Sequence, residues 1–108
     1  MVDAAVLKSV NKYLESLAKA GIQNSFGVIF GSYVSGTADQ LSDIDLLVVA
    51  PEFDGVVSRE VVKKLWHIAA RIDSRIEPIP CGKLQWQNDV SNAIIEIART
   101  EGQTVTAA

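Results

Sequence analysis

Apolar residues near the start of the chain recur every three to four positions, which is the spacing of one face of a helix. These residues are Val6, Val10, Leu14 and Leu17. Asp3 is a suitable N-cap for such a helix, and Gly21 stands where it would stop. The pattern therefore predicts an amphipathic N-terminal helix of about four turns.

Two short apolar segments follow, and each predicts a strand. Residues 26–30 lead directly into Gly31 and Ser32, and the second segment runs from Asp43 to Ala50. Alternation in this second segment places the odd-numbered residues on one face and the even-numbered residues on the other. Both faces are apolar beyond Asp45, so we expect this strand to lie inside the sheet. The polar residues 35–40 between the two strands predict a loop or a short helical turn.

The second half of the chain predicts a helix, a strand and a final helix. Ser58 can cap a helix with an apolar stripe, and a third strand is expected from about Ser74 to Ile79, ended by Pro80 and Gly82. The stripe consists of Val61, Leu65, Ile68, Ala69 and Ile72. The last helix is expected from Asn88 or Asp89 to Arg99. Its inward-facing residues would be Val90, Ile94, Ile97 and Ala98.

This order of elements predicts an α/β or α+β fold in which helices flank a small mixed sheet of three or slightly more strands. The order is helix, strand, short helix, strand, helix, strand, helix. We expect residues 1–102 to form a single domain. Residues 103–108 are small and weakly patterned, which predicts a flexible tail.

Composition narrows the possible functions. The net charge is −3 and the ten Lys and Arg residues are scattered, so autonomous nucleic-acid binding is not expected. Cys81 is the only cysteine, which excludes an internal disulfide and a cysteine-based zinc site and favours a reducing cytoplasm. Neither a signal peptide nor a membrane-spanning segment is expected from the sequence.

The residues that indicate chemistry lie between the first two strands. Asp43 and Asp45 are two positions apart at the start of a strand, so both carboxylates should project from one face. Two like charges this close favour a bound cation, and Mg²⁺ commonly bridges carboxylates and substrate phosphates. Gly31 and Ser32 end the preceding strand, where glycine allows close approach of a phosphate and the hydroxyl can donate to it. The combination predicts a phosphoryl-transfer or nucleotidyl-transfer site.

A third carboxylate is expected, because a second metal ion must be held and a nucleophile deprotonated. Glu77 is the leading candidate, since an acid within an otherwise apolar strand is unusual. Asp73 is the alternative, at the predicted junction of helix and strand, where polar residues are common.

The segment from Gly31 to Val49 resembles the signature of the DNA polymerase β-like nucleotidyltransferase superfamily, especially its small stand-alone members, the minimal nucleotidyltransferases. The matching positions are Gly31, Ser32, Gly36, Ser42, Asp43, Ile44, Asp45 and Leu46. The order of elements extends this resemblance over nearly the whole chain. One departure is that many small members have arginines within the turn, where this chain has Tyr33 and Ser35.

The resemblance implies a set of site residues and partners. Asp43, Asp45 and Glu77 would be the metal-binding and catalytic carboxylates, with two Mg²⁺ ions as cofactors. Gly31 and Ser32 would bind the nucleoside triphosphate, together with Gly36 and Ser42. The implied activity is transfer of AMP from ATP to a hydroxyl of a protein partner, with the chain as the antitoxin of a pair formed with a helical HEPN-type toxin.

Two other functions remain open from the sequence. The chain could be a binding module that neutralises its partner by occlusion, which the missing arginines at positions 33 and 35 favour. It could also transfer a nucleotide to a small molecule such as an aminoglycoside, although the expected acceptor domain is absent from this sequence. The apolar stretch from Val90 to Ala98 could serve as a partner interface or as a homo-oligomer interface.

Overall fold

A computed structural model describes residues 2–22, 26–39 and 41–106. The helices are α1 (Ala4–Lys19), α2 (Ser32–Ser35), α3 (Arg59–Ile72), α4 (Lys83–Asn88) and α5 (Ala93–Glu101), and a short 3-10 helix spans Pro51–Phe53. The strands are β1 (Phe26–Phe30), β2 (Ile44–Ala50), β3 (Ile76–Gly82) and β4 (Gln103–Val105). Of the predicted loop at 35–40, Gln40 lies outside the described residues. Among the described helices, none has the length and hydropathy needed to cross a membrane.

The four strands form one mixed sheet in the order β3-β2-β1-β4. β1 pairs with β2 and with β4 in antiparallel fashion, whereas β2 and β3 are parallel. β2 is therefore hydrogen-bonded on both sides, which confirms its predicted interior position. The mixed sheet with flanking helices confirms the predicted fold class.

The alternation along β2 divides the core into two layers. Ile44, Leu46 and Val48 pack with α1 and α3, whose buried side chains include Leu14 and Leu65. Leu47 and Val49 face the opposite side, where they pack with Ile95 and Ala98 of α5. Both caps expected from the sequence are present, because Asp3 accepts the amide of Ala5 and Ser58 accepts the amide of Val61.

β3 is shifted from its predicted bounds, because it begins at Ile76 rather than Ser74 and continues through Pro80 to Gly82. The amide of Ile44 donates to the carbonyl of Arg75, so the odd-numbered residues of β3 bond to β2. Pro78 and Pro80 occupy the even-numbered positions on this edge strand, where no amide hydrogen is needed. Edge positions of this kind tolerate proline.

The last helix exists, but its predicted start at Asn88 or Asp89 is wrong and α4 was not predicted. The chain instead forms α4 and α5, separated by a turn in which Asp89 accepts the amide of Ser91, and Asn92 then caps α5. The predicted inward stripe is also wrong, because only Ala98 of its members is buried. Val90 is 80% exposed, and Ile94 and Ile97 are 43% and 44% exposed.

The predicted flexible tail is wrong for Gln103–Val105, which form β4 against β1. Val105 pairs with Gly27 and is 7% exposed, and the amide of Val2 donates to the side chain of Gln103. Sequence patterning missed this strand because it is only three residues long. Residues 107–108 lie outside the described residues.

Deletion of residues 103–108 should therefore lower the free energy of unfolding by about 2–3 kcal/mol, because the buried Val105 side chain and its strand pairing are lost. Removal of residues 106–108 alone is the matched control and should change little. Urea unfolding of the two truncated chains measures the difference. Equal stabilities would show that β4 contributes nothing to the folded state.

Candidate active site

Asp43 and Asp45 lie where the chain enters β2 from the preceding loop. Asp43 immediately precedes the strand and is exposed, whereas Asp45 is its second residue and is half-buried. Asp45 pairs in register with Phe30 of β1. Because side chains alternate along a strand, both carboxylates belong to the face that also carries Leu47. The aspartates thus occupy one end of the sheet, beside the last residue of β1.

Glu77 lies beside Asp45, because the parallel pairing of β2 and β3 places the two residues in register. The side chains of Glu77 and Asp43 approach closely enough to share a hydrogen bond when one of the two carries a proton. This bond, burial and the nearby charges of Asp43 and Asp45 all raise the pKa of Glu77. Burial, followed by the charge of Asp43, also raises the pKa of Asp45. The structure therefore brings together the three carboxylates that the sequence singled out.

Asp73, the alternative third carboxylate, is engaged elsewhere. Its Oδ2 accepts Nη2 of Arg75 at 2.7 Å, and its Oδ1 accepts Nε of the same guanidinium at 3.0 Å. The hydrogen bonds from Arg75 lower the pKa of Asp73 to about 2. The position of Asp73 at the end of α3 thus commits it to Arg75 rather than to the carboxylates of β2.

Gly31 connects β1 to α2 and lies directly against Asp45. Its φ is +80°, and a Cβ atom added to it would lie 2.3 Å from Oδ2 of Asp45. Any L-side chain here would be strained and would also displace the carboxylate. Only glycine allows the turn to approach Asp45 this closely.

The other residues of the predicted phosphate-binding turn have distinct positions. Ser32 is the first residue of α2, so its amide and that of Tyr33 have no acceptor within the helix. Gly36 ends α2 in a left-handed conformation with φ +84°. The hydroxyl of Ser42 accepts the amide of Asp39 and donates to the Asp39 carboxylate, so it is engaged within the loop.

Residues of this turn line two clefts. A cleft of about 430 Å³ lies among the start of α1, Ser32, Tyr33, Asp39 and Arg75. A second, of about 280 Å³, is lined by Gly31, Val34, Ser35, Ile97 and Glu101. The turn therefore has open space on both sides, although neither cleft is lined by Asp43, Asp45 or Glu77.

Sequence reasoning missed Arg75 as a neighbour of the turn. Its Nη1 donates to the hydroxyl of Tyr33 at 3.0 Å, and the guanidinium lies 5.8 Å from the centre of the Tyr33 ring. The only hint of this contact in the sequence was the alternation that places Arg75 on one face with Asp73 and Glu77. It was insufficient because the contact joins residues 42 positions apart.

Residues 7–99 match the nucleotidyltransferase domain family. The chain belongs to this family. Because the match includes β1, the turn and β2 as well as Glu77, the nucleotidyltransferase predicted from the sequence is confirmed. No curated protein sequence matches this nucleotidyltransferase significantly.

Two solved structures are similar to this nucleotidyltransferase. A crystal structure of a toxin–antitoxin with AMP-PNP has 21% identity and a TM-score of 0.61, covering 91% of this chain and 73% of that one. A crystal structure of a mutant of the toxin–antitoxin MntA-HpeT has 25% identity and a TM-score of 0.60, covering 91% and 72%. These similarities support the assignment of the fold.

The magnesium ions implied by the family resemblance need hard oxygen ligands, and the carboxylates of this nucleotidyltransferase supply them. Repulsion between their charges contributes to the raised pKa values of Asp45 and Glu77, and a cation would relieve it. Within the described ranges, no group of three or more His, Cys, Asp and Glu side chains could hold a metal ion as arranged. The carboxylates therefore fit Mg²⁺ in the kind of ligand they offer but do not form a complete site by themselves, and substrate phosphates would have to supply further ligands.

Gly31→Ala and Gly36→Ala form a matched pair that tests the contact with Asp45. Both glycines have positive φ, so each variant should lose about 1–2 kcal/mol of unfolding free energy from backbone strain. Gly31→Ala should lose more, because its Cβ meets Asp45 whereas nothing lies within 4 Å of a Cβ at Gly36. Urea unfolding compares the two, and equal losses would contradict the proposed close approach.

Asp73→Asn should lower the free energy of unfolding at pH 7 by about 1–2 kcal/mol. The folded pKa of Asp73 is below its unfolded value, so its contribution is present above about pH 4 and is lost as the pH falls toward 2. The difference between wild type and variant should therefore shrink over this acidic range. Chemical unfolding at pH 7, 4 and 2.5 provides the measurement, and a difference independent of pH would rule out the ionic contribution.

Proposed function

We propose that this nucleotidyltransferase is magnesium-dependent and transfers AMP from ATP to a hydroxyl group of a partner protein. The observation that carries this proposal is the meeting of Asp43, Asp45 and Glu77 beside the glycine turn at Gly31. A cluster of carboxylates alone is compatible with many kinds of metal site. A carboxylate cluster beside a glycine turn suits a metal-bound triphosphate.

Each residue of the site has a proposed part in the reaction. Asp43, Asp45 and Glu77 would hold Mg²⁺, which when bound neutralises phosphate charge and stabilises the transferring phosphoryl group. Ser32 and the free amides at the start of α2 would donate hydrogen bonds to the triphosphate. Gly31 would keep that turn close to Asp45.

The reaction forms one bond and breaks one. The acceptor oxygen attacks the α-phosphorus of ATP, the bond to the α–β bridging oxygen breaks, and pyrophosphate leaves with that electron pair. The acceptor hydroxyl loses its proton, and we assign Glu77 to orient the hydroxyl and accept the proton. The carboxylate of Glu77 lies beside both aspartates, so an acceptor positioned there would also be close to the metal.

We further propose that the acceptor is a toxin of the HEPN type and that this chain is its antitoxin, acting in the cytoplasm. Both similar structures are of toxin–antitoxin systems, and one was determined with the nucleotide analogue AMP-PNP. Exposed apolar residues along α4 and α5 provide a surface for a protein partner, and one of them, Ile97, lines the cleft beside Gly31. They are Val90, Ile94 and Ile97 on and before α5, and Leu84 on α4.

Neutralisation by occlusion is a second candidate function. It is favoured by the turn itself, where Tyr33 and Ser35 offer no positive charge to a triphosphate. The hydroxyl of Tyr33 donates to the carbonyl of Asp39 instead. An occluding antitoxin would need neither nucleotide nor metal.

Asp43→Asn should abolish label transfer from α-labelled ATP with magnesium, because a metal ligand is lost, while the variant remains folded. The assay uses a lysate of the source cells and detects labelled protein by electrophoresis and mass spectrometry. Glu60→Gln is the matched control, since Glu60 is an exposed carboxylate on α3, and it should transfer label as wild type does.

The outcomes separate the two candidate functions. A single protein labelled by wild type and by Glu60→Gln, but not by Asp43→Asn, would support nucleotidyl transfer and identify the acceptor. Wild-type activity in Asp43→Asn would overturn the proposed metal site. If folded wild-type protein labels nothing with any of the four nucleotides, occlusion becomes the better account.

A further inference from the structure

We propose that Arg75, together with Tyr33, is a positioning residue that sets the place of Asp43 relative to Glu77. This inference rests on the proposed function, because it concerns the carboxylates that would hold the metal. Asp43 needs such a device: it precedes β2, is exposed, and receives none of the strand pairing that fixes Asp45.

Arg75 is itself held in a defined orientation. Asp73 accepts two hydrogen bonds from one edge of the Arg75 guanidinium, at 2.7 and 3.0 Å. The Asp73 side chain is 13% exposed and the Arg75 side chain is 29% exposed. A planar guanidinium held by two bonds to one carboxylate has little rotational freedom. Its remaining nitrogen, Nη1, is thereby directed to the hydroxyl of Tyr33.

The chain of contacts continues from Tyr33 toward Asp43. The Tyr33 hydroxyl donates to the carbonyl of Asp39 at 3.0 Å. The carboxylate of Asp39 accepts the amide of Leu41 and the hydroxyl of Ser42, so the turn before Asp43 is closed by its own hydrogen bonds. Through the Tyr33 hydroxyl, Arg75 thus anchors the turn that delivers Asp43.

The main chain of Arg75 anchors the other side of Asp43. The amide of Ile44 donates to the Arg75 carbonyl at 2.7 Å. Arg75 immediately precedes β3, and Glu77 is the second residue of that strand, so one residue is tied to both flanks of Asp43 and to the position of Glu77. Because a displacement of about 1 Å at a reacting centre can cost about 100-fold in rate, loosening this connection should reduce catalysis.

Tyr33→Phe is the sharpest test, since it removes one hydroxyl and keeps the ring against Arg75. Tyr13→Phe is the matched control, because the Tyr13 hydroxyl also donates to a main-chain carbonyl, that of Leu65, but in the core between α1 and α3. Tyr33→Phe should lower kcat at least tenfold and leave KM for MgATP within about twofold. Arg75→Lys should resemble it, because lysine lacks the planar fork needed to bind Asp73 and Tyr33 together.

A binding measurement independent of turnover accompanies the kinetics. Mn²⁺ is titrated by electron paramagnetic resonance in the presence of α,β-methylene-ATP, whose α–β bridge is not cleaved. Tyr33→Phe should weaken Mn²⁺ binding at least threefold. Tyr13→Phe should lower the melting temperature without changing Mn²⁺ binding or kcat, since it is remote from the carboxylates.

The results distinguish this inference from the proposed function. Wild-type kcat and Mn²⁺ binding in Tyr33→Phe would overturn the positioning role while leaving the metal site intact. Equal losses in Tyr33→Phe and Tyr13→Phe on every readout would also overturn it, because they would reflect stability alone. A folded wild type that neither binds Mn²⁺ nor transfers a nucleotide would overturn the proposed function, and the inference with it.

Discussion

The structure depends on β2 being paired on both sides. This single strand supplies side chains to both core layers, and its register against β1 and β3 fixes what lies next to Asp45. A slip of one residue would exchange the two faces, moving the aspartates to the face where α1 packs and the apolar residues away from their partners. The same hydrophobic pattern that specifies the fold therefore also specifies the site.

The unfavourable electrostatic repulsion within the site is concentrated where β2 begins. Three carboxylates within one small region repel one another, and those of Asp45 and Glu77 are also partly desolvated, as their raised pKa values reflect. The well-packed length of β2 beyond Asp45 offsets this repulsion, since every residue from Leu46 to Ala50 is buried. The repulsion at the charged start of β2 can be tolerated because the buried remainder of the strand stabilises the fold.

The sequence was most informative where local chemistry and periodicity agree. The alternation of β2, the pair Asp43 and Asp45, and the caps at Asp3 and Ser58 could all be predicted, because each is governed by neighbours in the chain. Glu77 could be suspected from its apolar surroundings, but its register opposite Asp45 follows from pairing between distant strands. The connection from Arg75 to Tyr33 could not be predicted, since nothing local indicates it.

The errors have the same physical origin. β4 is too short for a pattern, and it forms because β1 offers an open edge and Val105 gains burial. The last helix was started too early, at Asn88 or Asp89, because Val90 and the isoleucines at helical spacing suggested one apolar stripe, and α4 was missed. Local bonds made by Asp89 and Asn92 end one helix and begin the next, which turns Ile94 and Ile97 outward.

The edges of the described sheet have a consequence for how this protein meets other proteins. At one edge, Pro78 and Pro80 present no amide hydrogens, and at the other β4 is only three residues long. Neither edge offers the row of donors and acceptors that an added strand requires, which protects the protein from edge-to-edge aggregation. A partner must therefore recognise helices, loops and side chains, so specificity rests on residues that can change in evolution without disturbing the sheet.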